Sequence, residues 1–334
     1  MTFVSIGPRV AVVGVGYWGR NIARNLADLG SLECVVDLDP LCAKLEAARN
    51  GVKPCSYDEA LSSPEISAVV IATPLDTHFE LALAALRAGK HVMVEKTFTS
   101  SFSQAFELVE TAKRENLVLM VGHLLHYHPA YLRARDMMRS GNWGELRYVY
   151  SNRLAFGLFR GREDAIWGLA AHDASMLLDL TRSEIKTLEV SGASIDFSNE
   201  IEFAHLHLQF ENGVRGHIFT SRLHPLKEHR LVIVMDDGAL IFEDSASDPA
   251  RKLMFYDRRL PESNRQTLSA LENGVPVEFV AGEPLRAECQ HFLDCVATGK
   301  RPHTDGAEAL RVMRLISSAS ERIERAERPD ESYP

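Results

Sequence analysis

The chain has 334 residues, 46% hydrophobic and 25% charged. That balance excludes a disordered polymer and is enough for two domains with cores of their own. A net charge of −9, from 37 basic and 46 acidic residues, excludes a general nucleic-acid binder.

No apolar run reaches the roughly 18 residues of a membrane span, so no membrane association is expected. The first residues lack the basic-then-apolar layout of a signal peptide, and a cytoplasmic protein is expected. The five cysteines, Cys34, Cys42, Cys55, Cys289 and Cys295, contain no C-x-x-C pair and read as reduced, buried thiols. The histidines near 123–128 and at 205 and 207 read as surface or hydrogen-bonded groups, and no metal site is assigned.

Up to residue 122, strands and helices alternate. Strands are predicted at Arg9–Gly14, Leu32–Asp37, Ala68–Thr73, His91–Glu95 and Leu117–Gly122. Helices are predicted at Trp18–Leu29, Pro40–Asn50, His78–Ala88 and Ser103–Asn116, with Gly89 as a C-cap. Continuous apolar strands between amphipathic helices predict a doubly wound parallel sheet over residues 1–123.

Residues 124–334 have a different texture. A helix at Pro129–Ser140 precedes alternating strands at Glu145–Phe156, Thr187–Asp196, Glu202–Phe210, Gly213–Ser221, Arg230–Met235 and Ala239–Glu243. A helix at Ala174–Leu180 falls among them. Glu211-Asn212-Gly213 and Asp236-Asp237-Gly238 are hairpin signals. Helices at Pro284–Ala297 and Asp305–Ala326 close the chain. The fold class is therefore α/β, an N-terminal Rossmann sheet followed by an α+β domain with a large, mostly antiparallel sheet. The broad sheet face predicts a homodimer or homotetramer.

Gly14-Val15-Gly16-Tyr17-Trp18-Gly19 is a G-x-G-x-x-G run between a predicted strand and a predicted helix. Gly14 permits the tight turn, Gly16 lets backbone approach a pyrophosphate, and Gly19 allows close helix–strand packing. The helix start offers free N–H groups to phosphate. Asp37, 18 residues beyond Gly19, can accept hydrogen bonds from ribose hydroxyls and would repel a 2′-phosphate. No Arg or Lys occurs before Lys44, so NAD is favoured over NADP. Asp39 reads as the cap of the next helix beside Pro40.

With those residues in view, the chain resembles the Gfo/Idh/MocA family of oxidoreductases. The resemblance rests on the glycine loop, on Ala72-Thr73-Pro74 with His78, and on Ala88–Val92 leading to Glu95-Lys96. It extends through Met120–His123 into Tyr127–Ala130, Trp167–Asp173 and Asp305–Leu310. It implies coenzyme contacts from Gly14, Gly16, Tyr17, Trp18, Gly19, Asp37, Thr73, Pro74, His78, Glu95 and Lys96. The implied substrate is a sugar, nucleotide-sugar or inositol-like molecule, with members of nucleotide-sugar pathways closest in the Tyr150–Asp173 region.

Two departures stand out. The family's Glu-Lys-Pro reads Glu95-Lys96-Thr97, which predicts a different turn, because a non-proline cis bond costs about 3 kcal/mol. The Asp commonly four residues before the catalytic His is Gly168, which cannot ionise, while His172 is kept. The neighbouring Asp173 points elsewhere and is not expected to replace it.

The resemblance makes Lys96 and His172 the catalytic residues. His172 exchanges the hydroxyl proton and Lys96 stabilises charge on the same oxygen. Substrate contacts are expected from Lys96, His172, His128, Arg153 and Arg160, with Arg162, Tyr127 and Asp164 on the same segments. An Arg fork suits a phosphate. Two other activities fit the pattern: an NAD-dependent glycosidase, or a nucleotide-sensing regulatory protein that has lost catalysis.

Overall fold

A computed structural model describes residues 7–156, 164–195, 200–258 and 274–327. The chain divides into two compact units, residues 1–127 with 282–313 and residues 128–281 with 314–334.

The first unit holds β1 (Val10–Val13), α1 (Gly19–Asp28), β2 (Leu32–Val36), α2 (Pro40–Asn50), β3 (Lys53–Pro54) and α3 (Tyr57–Ser62). It continues with β4 (Ala68–Ile71), α4 (Leu75–Arg87), β5 (His91–Glu95), α5 (Phe102–Arg114) and β6 (Leu119–Gly122). Its sheet is parallel, in the order β3-β2-β1-β4-β5-β6. β1 and β4 are buried along their whole length, as strands covered on both faces must be. The order of strand addition reverses between β1 and β4, the switch point where open α/β sheets bind ligands at the carboxyl ends of their strands.

Local signals explain the helix ends. Asp39 caps α2 by accepting from Leu41 N–H, with Pro40 in the first turn. Ser56 and Glu59 form a reciprocal capping box for α3. β3 and α3 are too short to show a periodicity in the sequence.

The second unit holds α6 (Pro129–Arg139), β7 (Leu146–Phe156), α7 (Ala171–Thr181), β8 (Ile185–Ala193), β9 (Phe203–Phe210), β10 (Arg215–Ser221) and β11 (Leu223–Met235). β12 (Gly238–Glu243), β13 (Leu253–Asp257) and β14 (Val275–Pro276) complete its sheet. The order is β14-β13-β12-β11-β7-β10-β9-β8, antiparallel except for the β7–β10 pair. Gly213, at φ +86°, turns the β9–β10 hairpin. α7 covers one face, where a Cβ on Gly216 would lie 3.2 Å from Leu177.

α8 (Pro284–Thr298) falls in the first unit. Its Leu285, Cys289 and Phe292 join Val10, Ile22 and Leu26 in one buried cluster. α9 (Gly306–Glu327) closes the described chain. Among the described residues, no helix is long and apolar enough to cross a membrane.

The expectation of five reduced cysteines is corrected at one pair. Cys34 and Cys55 form a disulfide with their Cα atoms 6.2 Å apart. They are 21 residues apart in sequence, and only the β2–β3 pairing, with Cys55 N–H donating to the Val35 carbonyl, brings them together. Cys42, Cys289 and Cys295 are free thiols.

Candidate functional site

The glycine loop joins β1 to α1. Gly14 has φ +82°, where a side chain is strained. A Cβ there would also lie 2.8 Å from the Ala72 carbonyl oxygen. A Cβ on Gly19 would overlap the Gly14 carbonyl oxygen, at 1.8 Å. A Cβ on Gly16 meets nothing within 4 Å. Gly14 and Gly19 are therefore demanded by the fold, whereas Gly16 leaves an open surface that a pyrophosphate needs. Trp18, before the first turn of α1, makes no side-chain cap, so its helix N–H groups are not taken by one.

Asp37 follows β2. Its carboxylate accepts from Val15 N–H at 2.8 Å and from Asp39 N–H at 2.9 Å. These bonds fix it beside the loop, with lone pairs left for ribose hydroxyls. Tyr17 and Leu38 are exposed around it, and Arg20 lies 5.2 Å from the Tyr17 ring centroid.

The ends of β4 and β5 carry the remaining coenzyme candidates. Thr73 accepts from the Thr77 hydroxyl at 2.7 Å, and Pro74 precedes α4. His78 is buried, with Nε2 2.8 Å from the Thr73 carbonyl and Nδ1 2.9 Å from the Thr97 carbonyl. It bridges the turn after β4 to the loop after β5. The Lys96–Thr97 bond is cis, so the expected different turn is corrected: the family's bond geometry occurs without its proline.

Glu95 is buried at the end of β5. It accepts from the Trp18 indole N–H at 2.7 Å and from Lys96 N–H at 3.3 Å. Burial pushes its pKa up to about 7, opposed by the Trp18 hydrogen bond and by the charges of Lys96 and His123. Gly122 makes room for it, since a Cβ there would lie 3.1 Å from the carboxyl group. Lys96 itself is half-buried.

In the second unit, His172 lies in the first turn of α7 and is half-buried. Gly168 sits in a π-helical turn, residues 166–170. Asp173 is fully buried. It takes Arg153 Nε at 2.5 Å and Nη2 at 3.3 Å, and also bonds the Ser151 hydroxyl. Its carboxylate is thus taken up by Arg153 and Ser151. Arg153 spends its fork on Asp173 and is itself buried.

His128 caps α6, its Nδ1 accepting from Ala130 N–H at 3.1 Å, which leaves Nε2 3.7 Å from Asp244. Burial lowers the His128 pKa. Asp244 also lies 3.8 Å from His229 and 3.7 Å from Lys252. The nearby His229 is the largest cause holding its carboxyl down at about 2, against the opposing effect of burial.

Tyr127 is buried in the first unit, its hydroxyl 3.4 Å from Thr304. Asp164 caps the turn that follows it, accepting from Ile166 and Trp167 N–H at 2.9 and 2.8 Å. Burial raises it to about 6. Arg160 and Arg162 lie outside the described residues.

Sequence reading missed Asp244, His229 and Lys252, which surround His128. Nothing in their spacing marks them, because the strands and the turn after β12 assemble the group. It also missed Glu288, a buried acid on α8 whose only signal was a carboxylate on an otherwise apolar helix face. A cavity of about 600 Å³ beside β11–β13, lined by Lys227, Glu228, Arg230 and Tyr256, holds none of the predicted site residues. Its Arg230 is already paired with Glu243 at 2.7 Å.

Residues 8–123 match the model of an oxidoreductase family with an NAD-binding Rossmann fold. Residues 131–241 match that of the GFO/IDH/MocA C-terminal domain. The UDP-N-acetylglucosamine 3-dehydrogenase of Acidithiobacillus ferrooxidans is 29% identical over 314 residues, 91% of this chain and 94% of that protein. Its solved structure superposes with a TM-score of 0.82 at 28% identity, covering 95% of this chain and 98% of that one. The NAD-dependent scyllo-inositol 2-dehydrogenase of Bacillus subtilis is 26% identical, over 88% of this chain and 87% of its own. The NADP-dependent D-xylose 1-dehydrogenase of Haloarcula marismortui is 24% identical, over 95% of this chain and 91% of its own.

Proposed function

The chain belongs to the Gfo/Idh/MocA family of oxidoreductases, and on that premise we propose that it moves a hydride between a nicotinamide dinucleotide and a hydroxyl or keto carbon of a nucleotide-sugar. The observation that carries this reading is the glycine loop, closed at Gly14 and Gly19 and open at Gly16. When bound, the nicotinamide supplies the redox chemistry, and the chain supplies orientation and proton handling.

Gly16 and the start of α1 hold the pyrophosphate, and Asp37 takes the ribose hydroxyls. A fixed carboxylate with no Arg or Lys in residues 38–43 makes NAD the coenzyme. Lys96 stabilises charge on the substrate oxygen, and His172 takes or returns its proton. A nucleotide-sugar leads because the relative similar over 91% of this chain acts on UDP-N-acetylglucosamine. Gly168 favours a second reading, a nucleotide sensor without turnover.

The sheet face opposite α7 carries Tyr150, His217, His207 and Phe219. Its His207 and His217 rings stack at 4.5 Å and its His205 and Phe219 rings at 4.2 Å. Burial and its two histidine neighbours hold His217 down at about 4. We assign this face to a second copy in a homodimer or homotetramer; a monomer in light scattering at micromolar concentration removes that assignment.

The test of function is NADH and NADPH fluorescence titration, followed by a panel of UDP-sugars, free sugars and inositols. NADH binds more tightly, a nucleotide-sugar turns over, and Lys96→Ala and His172→Ala each bind NADH but lose roughly 100-fold or more in turnover. Wild-type turnover in either variant removes that residue's role. Binding without any turnover selects the sensor.

A further inference from the structure

Cys34 lies in β2 and Cys55 just after β3, and their disulfide closes a covalent ring across 21 residues of sequence. The ring encloses α2 and the turn that leads into it, Asp37-Leu38-Asp39. Asp37 accepts from the Val15 N–H of the glycine loop, and Asp39 caps α2. The carboxylate read above as the ribose contact and the helix behind it therefore sit inside one ring.

Apart from the disulfide, the far side of that ring is lightly held. β3 is two residues long, and both are exposed. It lies at the edge of the sheet and meets β2 at Cys34 with Lys53 and at Val35 with Pro54. Pro54 has no N–H to give to the ladder. Cys55 N–H adds one bond, to the Val35 carbonyl at 3.0 Å. Short exposed edges of this kind open at low cost, so the covalent link decides how firmly this side is closed.

The disulfide is also within reach of small molecules. Cys34 and Cys55 line a surface cavity of about 430 Å³ together with Arg9, Glu33 and Lys53. Cys34 is 5% exposed, whereas Cys55 is half-buried between exposed Pro54 and Ser56. An incoming thiol meets the Cys55 sulfur first. Cys42, the third cysteine of the region, is a poor exchange partner. Its thiol donates to the Val15 carbonyl at 3.5 Å, and burial with the charges of Asp37, Asp39 and Glu46 keeps its proton on.

We propose that Cys34–Cys55 is a reversible thiol-exchange site that sets coenzyme affinity: closed, it holds Asp37 ready for the ribose, and opened by a small-molecule thiol it loosens that grip. The proposal rests on the coenzyme reading above. The thiolate of a small thiol attacks the Cys55 sulfur, the S–S bond breaks, and Cys34 leaves with the electron pair and takes a proton from solvent. A second thiolate attacks the small molecule's sulfur in the mixed disulfide and frees Cys55, which is protonated in turn. Two small thiols are thereby oxidised to one disulfide, and the protein disulfide is reduced to two thiols.

The test equilibrates the full chain with oxidised or with reduced glutathione, and alkylation after denaturation, read by mass spectrometry, counts its thiols. The oxidised form shows three, Cys42, Cys289 and Cys295, and the reduced form shows all five. On reduction the melting temperature falls by several degrees. NADH affinity, read by fluorescence titration, weakens by roughly threefold to tenfold, because a preorganised site is lost. Cys55→Ser binds NADH as the reduced form does and ignores glutathione, whereas Cys42→Ser still responds. A thiol count that is the same under both treatments, or equal NADH affinity in the two states, overturns the switch and leaves the coenzyme reading standing. Failure of both states to bind NADH overturns the coenzyme reading and this proposal with it.

Discussion

The indole of Trp18 donates a 2.7 Å hydrogen bond to the carboxyl group of Glu95, linking the glycine loop to the end of a strand 77 residues away. A hydrogen bond to a charged group contributes about 1.5–3 kcal/mol. Trp18→Phe keeps the ring's bulk and removes the donor. We expect a melting temperature lower by several degrees and NADH affinity weaker by roughly tenfold, read by thermal scanning and fluorescence titration. Unchanged affinity would show that the loop holds its shape without this tie.

The glycines of the loop should separate folding from binding. Gly19→Ala places a Cβ 1.8 Å from the Gly14 carbonyl oxygen, so backbone must shift, and a loss of about 2–4 kcal/mol is expected. Gly16→Ala meets no protein atom within 4 Å, so its urea midpoint should stay within about 0.5 kcal/mol of wild type. Its NADH affinity should nevertheless fall at least tenfold, because the methyl group occupies the surface a phosphate approaches. Wild-type NADH affinity in Gly16→Ala would contradict the loop's assigned role.

Arg153 and Asp173 form a buried ion pair at 2.5 Å, 6% and 1% exposed at their side chains. Breaking such a pair from one side leaves an uncompensated charge and costs about 3–5 kcal/mol. Arg153→Ala should therefore appear first as a lower melting temperature. If Arg153 also contacts substrate, Arg153→Lys will keep most stability and still raise KM. A stable Arg153→Ala with only an altered KM would mean that the guanidinium serves the substrate alone.

The parallel sheet was legible because its strands are continuous apolar runs and Gly14, Asp39 and Gly89 punctuate them. The eight-stranded sheet was legible in six strands, where side chains alternate between the two faces. β13 and β14 lie past a turn that carries no strong signal. At the candidate site, the coenzyme residues were readable because one turn and the ends of two strands supply them. Asp244 beside His128 was not. The two meet through tertiary packing over more than a hundred residues of chain, and no local period encodes such a meeting. The Cys34–Cys55 pair was hidden in the same way, behind the register of β2 and β3.

The buried acids Glu95 and Glu288 have a consequence for stability with a definite sign. Glu95 goes from an ordinary 4.5 to about 7 on folding, and Glu288 moves in the same direction. Groups raised in this way bind protons more tightly in the folded state. Their contribution is complete below the unfolded value of 4.5 and is lost as pH climbs through about 7. Asp244, held at about 2 against an ordinary 3.8, behaves oppositely: its contribution persists above 3.8 and disappears only as pH falls through about 2, so it is silent in this window. Asp164, pushed up to about 6, adds slope of the same sign as Glu95. The diagnostic quantity is therefore the difference between Glu95→Gln and wild type, not the wild-type curve alone. Between pH 5 and pH 8 the wild-type melting temperature should fall more steeply than that of Glu95→Gln, whose amide cannot ionise, so the variant gains relative stability as pH rises. Parallel curves would mean that Glu95 keeps one protonation state throughout, because a group that does not titrate cannot bend one curve away from the other.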